Sequence, residues 1–414
     1  MTAADGTRRS RWTLAALCLA GWMRSGESAA DTFVPDFSGI DLNPYVVSDA
    51  VPSNPIITRH TVPSPTYFVA DPFLYKSGST WYIFFEQWDN YQAQGNIGYV
   101  TSDDGYHYEF GAICLDEPFH LSFPYVFQYE GTHYMLQVGP DNTDIRLYRA
   151  DPFPDVWVFD SVLMLGAGFA DPAIFRYQNR WYLFVCTNSN RRCDLYTSTD
   201  LRTAWTLHPS SPIVANNSGR ARPAGRTFVY GNGKLTRYAQ KCDVVYGEAV
   251  RAFQIDLLTP TAYAEHEVPE SPLIQATHEG WNSEAMHSFS PWWDGTRWLV
   301  AVDGEAVGGR WTIGLYRTST PAEVAASPRP HLVVQPNPTR GEASLVFSDG
   351  QRGARAIVLY DVEGRERRRL GRDDSEAALR WDGRDAWGAL LPNGVYFARV
   401  DGGSGAPVRL VIAR

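Results

Sequence analysis

The sequence predicts an all-β chain: a five-bladed β-propeller followed by a small β-sandwich. Three observations predict it. A unit of strand, polar turn and aromatic strand recurs at intervals of about fifty residues between positions 60 and 318. Helical periodicity is hard to find anywhere in that span. A Pro-rich stretch then leads into about 80 residues of short strands and turns.

The 414 residues are too many for one ordinary domain, and 44% hydrophobic residues suffice for a packed core. The net charge is -9, and with no basic face extended nucleic-acid binding is excluded. No apolar run reaches about 20 residues, so no helical membrane span is expected. Lys76, Lys234 and Lys241 are the only lysines, a skew better read as a high-GC genome than as function.

Residues 1–30 read as a signal peptide. Arg8, Arg9 and Arg11 precede an apolar run from Thr13 to Met23, and Ser28-Ala-Ala30 offers small residues for cleavage. Export leaves Cys114, Cys186, Cys193 and Cys242, an even number. A bridge between Cys186 and Cys193 across a polar turn is the expected disulfide. Metal binding is the weaker alternative, because no CxxC accompanies them. Residues 31–60 form an N-terminal arm. The last repeat ends one strand short, and Pro55-Ile-Ile-Thr-Arg-His60 is expected to supply the missing outer strand.

Residues 61–318 form the propeller. Phe68-Val-Ala-Asp-Pro-Phe-Leu-Tyr75 and Thr80-Trp-Tyr-Ile-Phe-Phe85 reappear as Phe169-Ala-Asp-Pro-Ala-Ile-Phe175 and Arg180-Trp-Tyr-Leu-Phe184. Looser copies surround Pro124, Pro223 and Pro291, giving proline spacings of 52, 48, 51 and 68. The 56 aromatic residues thereby gain a structural task, filling wedges between stacked blades.

Residues 319–335 are a Pro-rich linker and 336–414 the sandwich. This tail carries Gln335-Pro-Asn-Pro-Thr-Arg-Gly341, Leu359-Tyr-Asp-Val-Glu-Gly-Arg365, Trp381-Asp-Gly-Arg-Asp385 and Leu391-Pro-Asn-Gly-Val-Tyr-Phe397. It resembles the immunoglobulin-like domain of the flagellar hook-capping type and the sorting domains of type IX secretion cargo. The resemblance implies a secretion machinery as partner and a location outside, or on the surface of, a Gram-negative bacterium.

Chemistry is expected where the inner strands begin, at one mouth of the channel. The residues before the five prolines are Asp71, Phe123, Asp171, Arg222 and Ser290. Two carboxylates around a sugar suit glycosidic chemistry, one as base or nucleophile and one tuning charge. Against this, Asp before Pro is also a common turn in which the carboxylate bonds backbone N–H groups. His120 and His287 each lie four residues before a proline; Arg222 and Arg226 are candidates to pair with the carboxylates or bind substrate. Trp292 is a candidate rim aromatic, with wedge packing as the plainer reading.

Residues 65–270 resemble the five-bladed propellers of glycoside hydrolase family 43 and its relatives. More closely, they resemble the N-terminal propeller of plant glucosamine inositolphosphorylceramide transferases. The carrying motifs are Ala70-Asp-Pro-Phe73, Phe119-His-Leu-Ser-Phe-Pro124, Asp171-Pro-Ala-Ile174, Ala221-Arg-Pro-Ala-Gly-Arg226 and Tyr246-Gly. The hydrolase resemblance implies that Asp71 is base or nucleophile and that Asp171 tunes it. It departs at the general acid, a Glu that would fall where Ala221 stands. Glu86, Glu248 and Glu284 are substitutes, and Glu248 is preferred for its place in the fourth blade. In the plant proteins a separate glycosyltransferase domain follows; none is read here, so glycosyl transfer is not expected.

The sequence reading is therefore an exported carbohydrate-active propeller with a glycosidase-like channel site, and a non-catalytic glycan-binding or envelope scaffold protein is the alternative. No cofactor and no metal ligand set is predicted; calcium in the channel, usual in this fold group, stays compatible.

Overall fold

A computed structural model describes residues 36–38, 40, 42–49, 54–187, 189–231, 233–318, 332–347, 356–362, 364–371, 378–400 and 408–414. The expected signal peptide and most of the linker lie outside them. The chain divides into two compact units, Met1–Thr318 and Ser319–Arg414.

The described residues of the first unit form five sheets, antiparallel throughout except for one short strand from the arm. The first holds Thr66–Ser77, Thr80–Asp89, Gln94–Ser102 and Glu109–Leu115. The second holds Tyr125–Tyr129, Thr132–Val138, Asp144–Ala150 and Trp157–Leu165. The third holds Ala170–Tyr177, Arg180–Thr187, Arg192–Ser198 and Thr206–Leu207. The fourth is built on Val229–Gly231, Lys234–Lys241, Ala249–Leu258 and Tyr263–Glu267. The fifth is built on Phe289–Trp293, Trp298–Ala306 and Arg310–Thr318. Tight turns join neighbouring strands: Glu130-Gly131 and Gln178-Asn179 both sit at positive φ in each pair, the twist that two-residue hairpins favour.

Aromatic residues join the sheets in cyclic order. Phe73 meets Phe123 edge-on at 4.8 Å, and Tyr129 meets Trp181 at 4.9 Å. Phe184 meets Tyr263 at 6.0 Å and Tyr238 meets Phe289 at 5.0 Å. The circuit returns from fifth sheet to first through the Leu74 N–H, which donates to Ser290 Oγ at 2.9 Å. Such pairs each add about 0.5–1.5 kcal/mol beyond burial, so the wedge is an energetic as well as a geometric device.

Two short segments of the arm join this circuit. Asp36–Ser38 runs parallel to Val229–Gly231. Val47–Asp49 runs antiparallel to Arg310–Thr318 and completes the fifth sheet. The expected donor, Pro55–His60, does not form that strand; Ile57 makes only an isolated bridge to Ile313. Pro55 has no N–H for a ladder, which Val47-Ser48-Asp49 supplies.

The expected disulfide is also corrected. Cys186 and Cys193 are register partners across the hairpin, yet both are free and buried. Burial pushes the Cys186 thiol up to about 12, and Cys193 is raised by the same cause. Neither supplies the thiolate that disulfide exchange requires.

The second unit has a three-stranded sheet (Leu332–Gln335, Ala343–Phe347, Ala378–Trp381) and a four-stranded one (Glu366–Leu370, Ile357–Tyr360, Gly394–Val400, Val408–Ile412). Leu345 and Trp381 from one sheet and Leu359 and Leu410 from the other share one core.

Candidate functional site

The Asp-Pro steps interrupt their strands. Proline gives no N–H to the ladder, and the register slips between Ala70 and Phe73 and again between Ala170 and Ala173. Asp71, Phe123 and Asp171 take left-handed φ of 52°, 50° and 50°. A non-glycine residue there is uncommon, and Asp is among the types that tolerate it best. At the two Asp-Pro steps the carboxylate leaves its own ladder, Asp71 for the Phe123 N–H and Asp171 for Arg222 and Gln240.

Asp71 is buried and bonded on both oxygens. Oδ2 accepts from the Phe123 N–H at 3.2 Å, and Oδ1 from Ser288 Oγ at 3.2 Å. His287 Nε2 lies 3.2 Å from the same Oδ1. Burial raises the Asp71 carboxyl, but His287, Arg222 and Ser288 outweigh it and hold it below the ordinary carboxylate range. Asp71 is therefore a carboxylate with fixed orientation.

Behind it stands a second carboxylate. Asp303 Oδ1 accepts from the His287 and Ser288 N–H groups, both at 2.9 Å. Its Oδ2 accepts from the Asp71 N–H at 3.1 Å and lies 3.0 Å from His287 Nδ1. That ring nitrogen makes the contact without hydrogen-bond alignment. Burial opposes a charged imidazole, yet Asp303, Tyr246 and Asp71 carry His287 well above the usual histidine range. One imidazolium thus bridges two carboxylates.

These three residues are also the group whose potential metal-ligand atoms converge within 4.8 Å among the described residues. A cation bound through one His287 nitrogen would have to displace the proton from that nitrogen, so metal binding and the proton-bridged arrangement compete for the same atoms.

Asp171 faces a fork. Arg222 Nε and Nη2 donate to its two oxygens at 2.6 and 3.1 Å, and Gln240 Nε2 donates to Oδ2 at 2.7 Å. Burial and the nearby Asp71 push Asp171 up while Arg222 opposes them. The guanidinium is held firmly charged by the same pair, and lies over the Tyr246 ring at 5.3 Å.

Glu86 lies in the strand beside Asp71, directly opposite Ala70. Its residue is 6% exposed. Among the described residues its carboxyl accepts no hydrogen bond; His120 Nε2 stands 3.9 Å from Oε1. Burial pushes Glu86 well above the ordinary carboxylate range, with Asp71 and Asp171 adding and His287 and Arg222 opposing. His120 is lowered by burial, and its Nδ1 accepts from the Gly95 N–H at 2.9 Å. A neutral ring then carries its proton on Nε2, facing Glu86.

The structure thus brings together Asp71, Asp171, Arg222, His120 and His287. It sets three expected site residues apart. Glu248, the preferred acid, is half-buried at the base of a turn and its carboxylate is engaged by Lys241. Arg226 is fully buried, donates to Val126 O at 2.7 Å and sits among Phe73, Tyr75, Tyr125 and Trp292. Trp292 is part of that cage and also packs on Phe37 and Tyr75, so it is a wedge residue rather than a sugar platform. Ser290 is likewise spent on the Leu74 N–H.

Asp303, Gln240 and Ser288 escaped the sequence reading, and Glu86 was passed over. A signal existed for three of the four. Five residues after the aromatic or apolar start of each second strand come Glu86, Val138, Cys186, Gln240 and Asp303. These positions face the strand starts, and three of them carry the polar groups of the site.

With this geometry in place, known proteins can be compared. A family model described as Glucosamine inositolphosphorylceramide transferase 1, N-terminal, matches residues 45–305. The chain belongs to this family. The rice (Oryza sativa subsp. japonica) glucosamine inositolphosphorylceramide transferase 1 is 34% identical over 270 residues, covering 62% of this chain and 36% of that protein. The Arabidopsis thaliana protein of the same name is 35% identical over 251 residues, covering 57% and 32%. The chain spans about a third of the length of the curated relatives it matches.

Among solved structures, a glycosyl hydrolase from Bacteroides ovatus aligns with TM-score 0.52 at 11% identity, covering 68% of this chain and 95% of that one. The Bombyx mori GH32 beta-fructofuranosidase aligns with TM-score 0.50 at 13% identity, covering 86% and 87%. These likenesses show the fold, an all-β propeller of the glycosidase type. The matched relatives are plant proteins, and this overturns the expectation of a secreted or surface protein of a Gram-negative bacterium. Among the described residues no helix is long and apolar enough to cross a membrane.

Proposed function

We propose that the first unit is a five-bladed propeller enzyme acting on glycosidic linkages, with Asp71 as the base or nucleophile and Asp171 as its orienting partner. The cyclic order of the five sheets supports the blade count. One observation carries the chemistry: two buried carboxylates stand at one mouth in contrasting environments. Asp71 is held ionised by an imidazolium, and Asp171 is forked by Arg222. Groups pushed apart in this way divide into roles. The second unit we read as an immunoglobulin-like attachment module, which its shared two-sheet core supports.

The test is a screen of chromogenic glycosides and a glycan array with wild type, Asp71→Asn and Asp171→Asn. The relatives' name puts glucosamine-bearing and inositol-phosphate-bearing glycans first in that screen. Turnover lost in both variants is the expected result. Binding without any turnover by wild type would instead establish a lectin-like protein, a reading favoured by buried Ala221 at the place where the hydrolases carry their acid.

A further inference from the structure

An ionised Asp71 can activate water or attack a sugar, but it cannot protonate a leaving group. Asp171 cannot either, because both its oxygens are occupied by Arg222 and one also by Gln240. Hydrolysis at this mouth needs a carboxyl that is protonated, reachable and not hydrogen-bonded in an ion pair.

Glu86 meets those conditions by position. It lies across the hairpin from the residue preceding Asp71. Its side chain is nearly enclosed, at 8% exposed, and among the described residues no hydrogen bond ties its carboxyl. The niche is built for it. A Cβ on Gly95 would fall 2.8 Å from Glu86 Oε1, 2.9 Å from His120 Cε1 and 2.2 Å from Leu121 O. Only a residue without a side chain leaves room for the carboxyl and the imidazole together. The Gly95 N–H then fixes the His120 ring from behind.

Resting on the reading above, we propose that Glu86 is the proton donor of the site, taking the place of the acid that Ala221 cannot supply. In the step, the Glu86 carboxyl proton passes to the glycosidic oxygen as the anomeric C–O bond breaks. A water oxygen forms the new bond to the anomeric carbon, and its proton passes to the Asp71 carboxylate. Solvent then returns a proton to Glu86 and takes one from Asp71, so nothing is oxidised or reduced. The charged groups facing Glu86 come from four sheets: Asp71, Asp171, Arg222 and His287, with neutral His120 at its edge. The two acids favour its protonated form, and the arginine and the imidazolium oppose them. The enclosed niche decides for the proton by excluding water from the carboxylate.

The experiment compares leaving groups. Glu86→Gln is matched in shape and is first checked for an unchanged melting curve by circular dichroism. On glycosides with alkyl leaving groups it should lose about 10²–10⁴-fold in kcat/KM. On 2,4-dinitrophenyl glycosides, which need no protonation, it should stay within about tenfold of wild type. Asp71→Asn should lose both substrates, and Glu248→Gln neither. Equal losses on both substrate classes, or none, overturn the assignment of Glu86 while leaving the role of Asp71 intact. No turnover by wild type overturns the hydrolase reading and this proposal together. A turnover-independent measurement adds a second check. Carbon-13 carboxyl spectra of wild type should show one glutamate titrating above the rest, and that signal should vanish in Glu86→Gln. If every glutamate titrates in the ordinary range, the proposal fails.

Discussion

Replacing Asp303 by Ala should damage the first unit more than any surface ion pair could. Asp303 is wholly buried and accepts from three backbone N–H groups, those of Asp71, His287 and Ser288, at 3.1, 2.9 and 2.9 Å. It also neutralises the His287 imidazolium from 3.0 Å. Removing it strands three buried donors at about 1–3 kcal/mol each and leaves a buried cation half-paired. Because these losses overlap, about 3–5 kcal/mol is expected. At roughly 2 °C per kcal/mol for a unit of this size, the melting temperature should fall by about 6–10 °C. The shape of the pH dependence should change too. His287 has a raised folded pKa, so its contribution is complete below the unfolded value near 6.5 and is lost as pH climbs through the folded value. Asp71 has a lowered folded pKa, so its contribution is complete above about 4 and is lost as pH falls through the folded value. Wild type should therefore be most stable between about pH 4 and about pH 6.5 and lose stability progressively above that, until the raised folded value of His287 is passed. Without Asp303 the alkaline edge should retreat toward neutral pH. Urea titrations followed by tryptophan fluorescence at several pH values measure both effects. A loss below about 1 kcal/mol, or an unmoved alkaline edge, would refute the clasp.

Three further outcomes are expected. Arg222→Ala leaves Asp171 buried without its fork and should cost about 3–5 kcal/mol in urea denaturation. Arg222→Lys should recover only part of that, since an ammonium cannot bond both oxygens in one plane. Arg226→Met keeps the volume inside the aromatic cage and should change stability by less than about 1.5 kcal/mol, while Arg226→Ala opens a cavity and should cost about 3–5 kcal/mol. Alkylation read by mass spectrometry without reductant should leave Cys114, Cys186 and Cys193 unmodified in the native protein and label them after unfolding.

The repeat was legible because blade packing writes itself as an aromatic strand motif, and Trp81, Trp181 and Trp298 mark the same place in three copies. The carboxylates Asp71 and Asp171 were legible because Asp-Pro breaks a ladder in a way that spacing alone reveals. Ser290 misled the comparison for a related reason. Pro291 pairs regularly with Val300, without the slip seen at Pro72 and Pro172, and the Ser290 hydroxyl is taken by the Leu74 N–H rather than by the carboxylates. His287 and Ser288 meet Asp71 instead. Glu86 was hidden by the bulge itself. Counting back from the Ser77–Thr80 turn sets Glu86 opposite Asp71, and the bulge moves it opposite Ala70. The Asp303 clasp joins residues 232 positions apart, and no local pattern reports such a pairing. Glu248 looked suitable by its place in the repeat, but its ion pair with Lys241 depends on a turn whose shape spacing does not give.

The left-handed backbone at Phe123 has a consequence of its own. Asp71, Phe123 and Asp171, each just before a proline in or beside the first strand of its sheet, present the same left-handed seat, and two of the three hold a carboxylate. Phe123 occupies the third at some conformational cost, with its N–H pointed at Asp71 and its ring against Phe73. A small polar residue at 123 would suit that backbone better than the aromatic does. The ring architecture therefore leaves a single-residue route by which such a scaffold can gain or lose a functional group without rebuilding a loop, and the diversity of chemistries on one propeller plan becomes a matter of who sits in each seat.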